Sequence, residues 1–202
     1  GWVARAGATY KDLVLGGDVE VGYASGDSNP NDHFIRNFSF DPDYNPSLIL
    51  FEELRAAETV ASAANVSDPS RVGYPPQSAR FLPTAGSVTN AQYVRPTVRY
   101  ALGDLGLRLA ILWGRAEEDV VDPFNTTVSG EPRNFQGGKA NERDLGIEVN
   151  LGAEYTYAMT DTLKLQATLQ IGRLHPGKAF ADQSGKTLKD IDAAFAQVRA
   201  QW

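Results

Sequence analysis

Long stretches of this chain alternate apolar and polar residues with a period of two. In residues 144–157, Leu145, Ile147, Val149, Leu151, Ala153, Tyr155 and Tyr157 share one parity, and Glu148, Asn150, Glu154 and Thr156 the other. Successive side chains of a strand point to opposite faces, so this spacing predicts a strand with one apolar and one polar face. A helix would set Glu148 beside Leu145, Val149 and Leu151 and mix polar with apolar all round. The pattern recurs in 13–26, 91–102, 105–115 and 162–174, more weakly in 2–10, and again at the end. There Ala194, Ala196, Val198, Ala200 and Trp202 alternate with Gln197, Arg199 and Gln201. About seven antiparallel strands are expected.

These segments run to about ten residues, longer than the usual five or six of soluble sheets and suited to a tilted membrane span of ~9–11. Apolar runs such as Leu48-Ile49-Leu50-Phe51 fall far short of the ~20 residues a membrane helix needs. Barrel strands give only weak hydropathy signals, so a short run does not exclude a membrane. Of the 202 residues, 42% are hydrophobic and 22% charged, which rules out a disordered chain. The net charge of −6 argues against a nucleic-acid partner. Without cysteine, no disulfide, thiolate metal site or cysteine nucleophile is available. The chain opens Gly1-Trp2-Val3, without an initiator Met or a leader pattern; a removed signal peptide or a longer parent chain is expected.

Connection lengths alternate. Lys11-Asp12, Gly103-Asp104 and Thr160-Asp161-Thr162 read as tight turns, whereas 27–90, 117–143 and 175–189 are long loops. Tyr10, Tyr100, Tyr155, Tyr157 and Trp202 then fall at the short-turn end, and Trp2, Tyr23 and Trp113 at the other, all on the apolar face. Two aromatic girdles flanking an aliphatic band are what headgroup interfaces select. The terminal strand, closing on Trp202, resembles the last strand of Gram-negative outer-membrane β-barrels. The expected fold is therefore all-β: part of an antiparallel transmembrane β-barrel with long extracellular loops, in the bacterial outer membrane. Seven strands put the two ends on opposite sides, whereas a complete barrel has an even number. The chain 1–202 reads as the C-terminal part of a larger barrel, its other strands coming from an upstream segment or another chain.

The loop 27–90 is too long to be structureless. Residues 47–64 read as a short helix whose apolar residues Leu48, Leu50, Phe51 and Leu54 need burial, in the barrel mouth or on a neighbouring loop. Gly22-Tyr23-Ala24-Ser25-Gly26-Asp27-Ser28-Asn29-Pro30-Asn31-Asp32 with Phe38-Ser39-Phe40-Asp41-Pro42 resembles the strand-to-loop motif of alginate-export-type outer-membrane porins. With Leu48-Ile49-Leu50-Phe51 and Asn90-Ala91-Gln92-Tyr93-Val94-Arg95-Pro96, the chain is similar to an uncharacterised outer-membrane barrel family related to them. The resemblance spans about 13–112 and implies a many-stranded channel. Alginate exporters have a strongly basic lumen. Here the lumen-facing charges are mixed: Arg5, Arg95, Arg99, Arg108, Lys164 and Arg199 with Asp18, Glu20, Glu148 and Glu154, which points away from a polyanion.

Arg95, Arg99 and Arg108 form either an anion-attracting ladder or cross-strand pairs with Asp18 and Glu20. Asp27, Asn29, Asn31 and Asp32 carry oxygens that suit calcium, but a glycine at the sixth place and a downstream Glu are missing, and Asx turns are the competing reading. His33 and His175 lie in or near loops without a triad partner, and no nucleophile elbow or phosphate loop appears. The expectation is a non-enzymatic pore without cofactor, set in outer-membrane lipid. A scaffold barrel binding an envelope protein is the alternative, and a barrel-rim enzyme built around His175 is a third.

Overall fold

The computed structural model describes residues 1–10, 14–160 and 163–202, and of Gln201 the backbone only. Seven strands form one antiparallel sheet in chain order: β1 (Trp2–Tyr10), β2 (Leu15–Ala24), β3 (Ala91–Leu102), β4 (Leu105–Arg115), β5 (Asp144–Ala158), β6 (Lys164–Pro176) and β7 (Ile191–Gln201). Each strand pairs with its sequence neighbours. The sheet does not close on itself: β1 and β7 are its two edges among the described residues. Among the described residues no helix is long and apolar enough to cross a membrane.

The long connections all leave one end of the sheet. The β3–β4 turn at Gly103-Asp104 is tight, with Gly103 at φ 59°. Lys11, Asp12, Leu13, Asp161 and Thr162, to which two tight turns and two strand starts were assigned, lie outside the described residues. The loop 27–90 carries a π-helical turn (Leu50–Arg55) running into α1 (Ala56–Val66), then the single turn α2 (Pro69–Val72). The helix expected over 47–64 thus starts and ends two or three residues later. The loop 117–143 carries α3 (Pro123–Ser129), begun by Asp122, whose carboxylate accepts the N–H groups of Phe124 (3.3 Å) and Asn125 (3.0 Å).

The core sits on one face of the sheet, near the loop end. Ile49, Leu50 and Phe51 of the long loop pack with Tyr93, Leu112 and Leu174 of the strands, all fully buried. The opposite face has no such cover. Leu107, Leu109, Ile111, Leu151, Leu169 and Ile171 lie there at 39–52% exposure. Among the described residues the apolar rows therefore have no second layer.

Candidate functional site: the polar face of the sheet

Antiparallel pairing puts directly opposed residues on the same face. The polar face has two storeys. At the loop storey, segment 44–55 lies across the sheet and is held by two buried carboxylates. Glu148 on β5 accepts the backbone N–H of Leu48 (2.6 Å), Ile49 (3.2 Å to either oxygen) and Leu50 (2.7 Å), and the Asn150 amide (2.7 Å). Glu20 on β2 accepts Tyr44 Oη (2.7 Å), Tyr93 Oη (3.0 Å) and Arg95 Nη2 (3.3 Å), and is ion-paired to Arg5. Arg95 Nη1 also donates to the Pro46 carbonyl (2.9 Å). Two glycines let the segment approach closely. A Cβ at Gly114 would lie 3.1 Å from Leu50 Cδ2, and one at Gly172 3.2 Å from Leu48 Cδ2.

Below this storey the polar face is an open trough of about 600 Å³, with Asp18, Arg99, Arg108, Glu154, Thr168 and Gln170 along its wall and Gly7, Gly16, Gly106 and Gly152 on its floor. Arg99 is ion-paired to Asp18. Arg108 lies directly opposite Arg99 and donates to Gln170 Oε1 (3.1 Å); no carboxylate pairs with it among the described residues. Lys164 and Arg199 continue the same face toward the short-turn end, opposite Gln201 and Gln166.

The ten charges expected to face a lumen thus divide. Glu20 and Glu148 are buried at 1% and 0% exposure, so they face the inserted segment rather than open space. Asp18, Arg5, Arg95 and Arg99 are in cross-strand pairs, for Arg95 and Arg99 the structural option of the two weighed. Arg108, Glu154, Lys164 and Arg199 remain on the open wall.

The aromatic residues expected to form the girdles lie on the apolar face. Trp2 stacks on Tyr23 with centroids 6.1 Å apart, and Trp113 pairs with Ile147. Tyr10 and Tyr100 flank Leu15, Tyr155 opposes Leu105, Tyr157 opposes Leu165, and Trp202 follows the last pair. Arg173 and Asp192 share this face in a bidentate pair (2.6 and 2.8 Å) next to His175, at the loop end of β6 and β7. The alternation had been read only as far as Ile171, so that pair had no place in it.

Where oxygens suited to calcium were noted, Asx turns occupy side-chain oxygens. Asp27, Asn29 and Asp32 accept backbone N–H groups of Asn29, Asn31 and Phe34, and Arg36 and Arg80 supply the positive charge. Arg36 beside Asp32 holds its carboxyl below the usual range. No cluster of three or more His, Cys, Asp or Glu side chains suited to a metal occurs among the described residues. His175 Nδ1 is 2.9 Å from Asp190 Oδ1, both half-exposed.

Tyr44, Tyr93, Asn150 and Gln170 were missed as site residues. Tyr93 and Asn150 sit on polar-parity positions of clear strands, and that parity was their only signal. Comparison with protein-family models, curated proteins and solved structures finds no match. The class defined is an all-β chain with a seven-stranded antiparallel sheet, one face apolar and uncovered, the other polar and half filled by its own loop.

Proposed function

We propose that this chain is a wall segment of an outer-membrane β-barrel channel that passes small solutes or polymers, similar in kind to alginate-export-type porins. The observation that carries this reading is the slant of the apolar band. On β1 the band runs from Tyr10 to Trp2, centred on Ala6; on β7 it runs from Trp202 to Ala194, centred on Val198. Followed through Ala6, Val19 and Pro96, across to Ile111 by the register that sets Val94 opposite Trp113 and Thr97 opposite Ala110, and on through Val149 and Arg173, the row of Ala6 reaches β7 at Asp192, six residues from Val198. The band slips by about one residue per strand. With ~3.4 Å per residue and ~4.8 Å between strands, a level band requires strands tilted by about 35°, within the range of membrane barrels. A soluble sheet has no cause to hold such a band level.

Closure follows from strand direction. β1 and β7 run the same way, so an odd number of further strands must lie between them for every pair to be antiparallel. An equally oriented second copy would meet β7 with β1 in parallel, so the added strands come from elsewhere in a longer chain or from a different chain. Unpaired edges are untenable in hydrocarbon. The hydrated wall would be the trough with Arg108, Glu154, Lys164 and Arg199.

Conductance of the closed barrel in a planar bilayer tests this. Steady single-channel steps support the channel. The inserted segment supports a second reading, a scaffold barrel with a blocked lumen, and a silent barrel that co-purifies with an envelope protein would favour it.

A further inference from the structure

We propose that Glu148 and Glu20 form a two-point latch that seats segment 44–55 across the polar face as a resident constriction. Glu148 thereby sets the size limit of the passage as a positioning residue, without touching solute. The consequence for solutes rests on the channel reading; the latch itself does not. Glu148 is fully buried and has no cationic partner among the described residues. Its charge is met by three consecutive backbone N–H groups of the segment and by the Asn150 amide. A buried carboxylate is costly unless hydrogen-bonded, and so is a buried N–H without an acceptor. Segment and carboxylate therefore hold each other in place. The other end is fixed on β2 and β3, where Tyr44 donates to Glu20 and Arg95 to the Pro46 carbonyl. Glu20 and Glu148 are three strands apart, about 14 Å at the usual strand spacing. Pinned at both points, the segment spans that width and covers Leu112 and Leu174. Arg95, Glu20 and Glu148 are thereby withdrawn from solute.

The test uses Ser47→Cys as reporter, since the chain has no cysteine and Ser47 is buried on the segment. In the full chain in detergent or bilayer, a membrane-impermeant maleimide should label Cys at this position slowly. Adding Glu148→Gln or Glu148→Ala should speed labelling about tenfold or more, Ala more than Gln, since charged hydrogen bonds are lost. Tyr44→Phe loosens the other end and should give a smaller acceleration. In vesicle-swelling assays Glu148→Ala should admit larger neutral sugars than the unaltered protein. Unchanged labelling and an unchanged size limit across Glu148→Gln and Tyr44→Phe overturn the latch, even where Glu148→Ala fails to fold. Glu148-dependent labelling in a protein that admits no sugar at all sustains the latch and removes the channel.

Discussion

Glu20, Glu148 and Glu58 are buried carboxylates with three different solutions. Glu20 gathers two tyrosine hydroxyls and two arginines, so each donor is worth about 1–3 kcal/mol to a charged acceptor. Tyr93→Phe should therefore lower stability by about 1–2 kcal/mol in urea unfolding, with the strands intact by circular dichroism. Glu58, on α1, is served by Gln136 Nε2 (2.9 Å) and by Arg55 at 3.4 Å, and burial pushes its carboxyl above the ordinary 4.5. The folded state then binds a proton more tightly than the unfolded one. Its penalty is absent below the ordinary value and grows as pH rises through the folded value. Protection factors of α1, corrected for the intrinsic pH dependence of amide exchange, should be larger at acid than at neutral pH, and Glu58→Gln should flatten that difference; an opposite slope would contradict the burial argument.

At the scale of elements, segment 44–55 and α1 are where packing overrides pattern. Leu50 is fully buried over Gly114, so Leu50→Ala should weaken docking of the segment by about 2–5 kcal/mol, read as faster exchange over residues 48–66. Asp122 begins α3 and also accepts the Ser62 hydroxyl, so Asp122→Ala should loosen α1 and α3 together by about 1–2 kcal/mol. The strands were legible because alternation is imposed directly by the pleat: those expected over 91–102 and 105–115 match β3 and β4 end to end. The helix was legible from Leu48, Leu50, Phe51 and Leu54, which can share a face, and from the Ala-rich run after them. Its docking was not, because Glu148 looks like any polar strand position and its partners are backbone N–H groups a hundred residues away, which leave no mark in the sequence. For the same reason Glu148 and Glu154 were read as equivalent wall charges, although one is covered and the other open.

At the scale of the whole molecule, the uncovered apolar face and its slant are the features that a membrane would explain together. Leu151, mid-band on β5, is a sharp probe: Leu151→Arg should cost ~2–4 kcal/mol when the protein is folded into a bilayer, and Thr168→Arg on the polar face far less. Closure could not be read from this chain, since β1 and β7 are both edges of the sheet among the described residues. Site-directed spin labelling of the cysteine-free chain in lipid bilayers addresses the lipid contact directly. Nitroxides at Ala6, Val19, Leu109, Leu151 and Val198 should all sit deepest in their strands, with high oxygen and low nickel-chelate accessibility, while one at Thr168 does the reverse. Deepest positions that follow a single hydrogen-bonded row, or apolar-face labels that meet the nickel chelate freely, would contradict it.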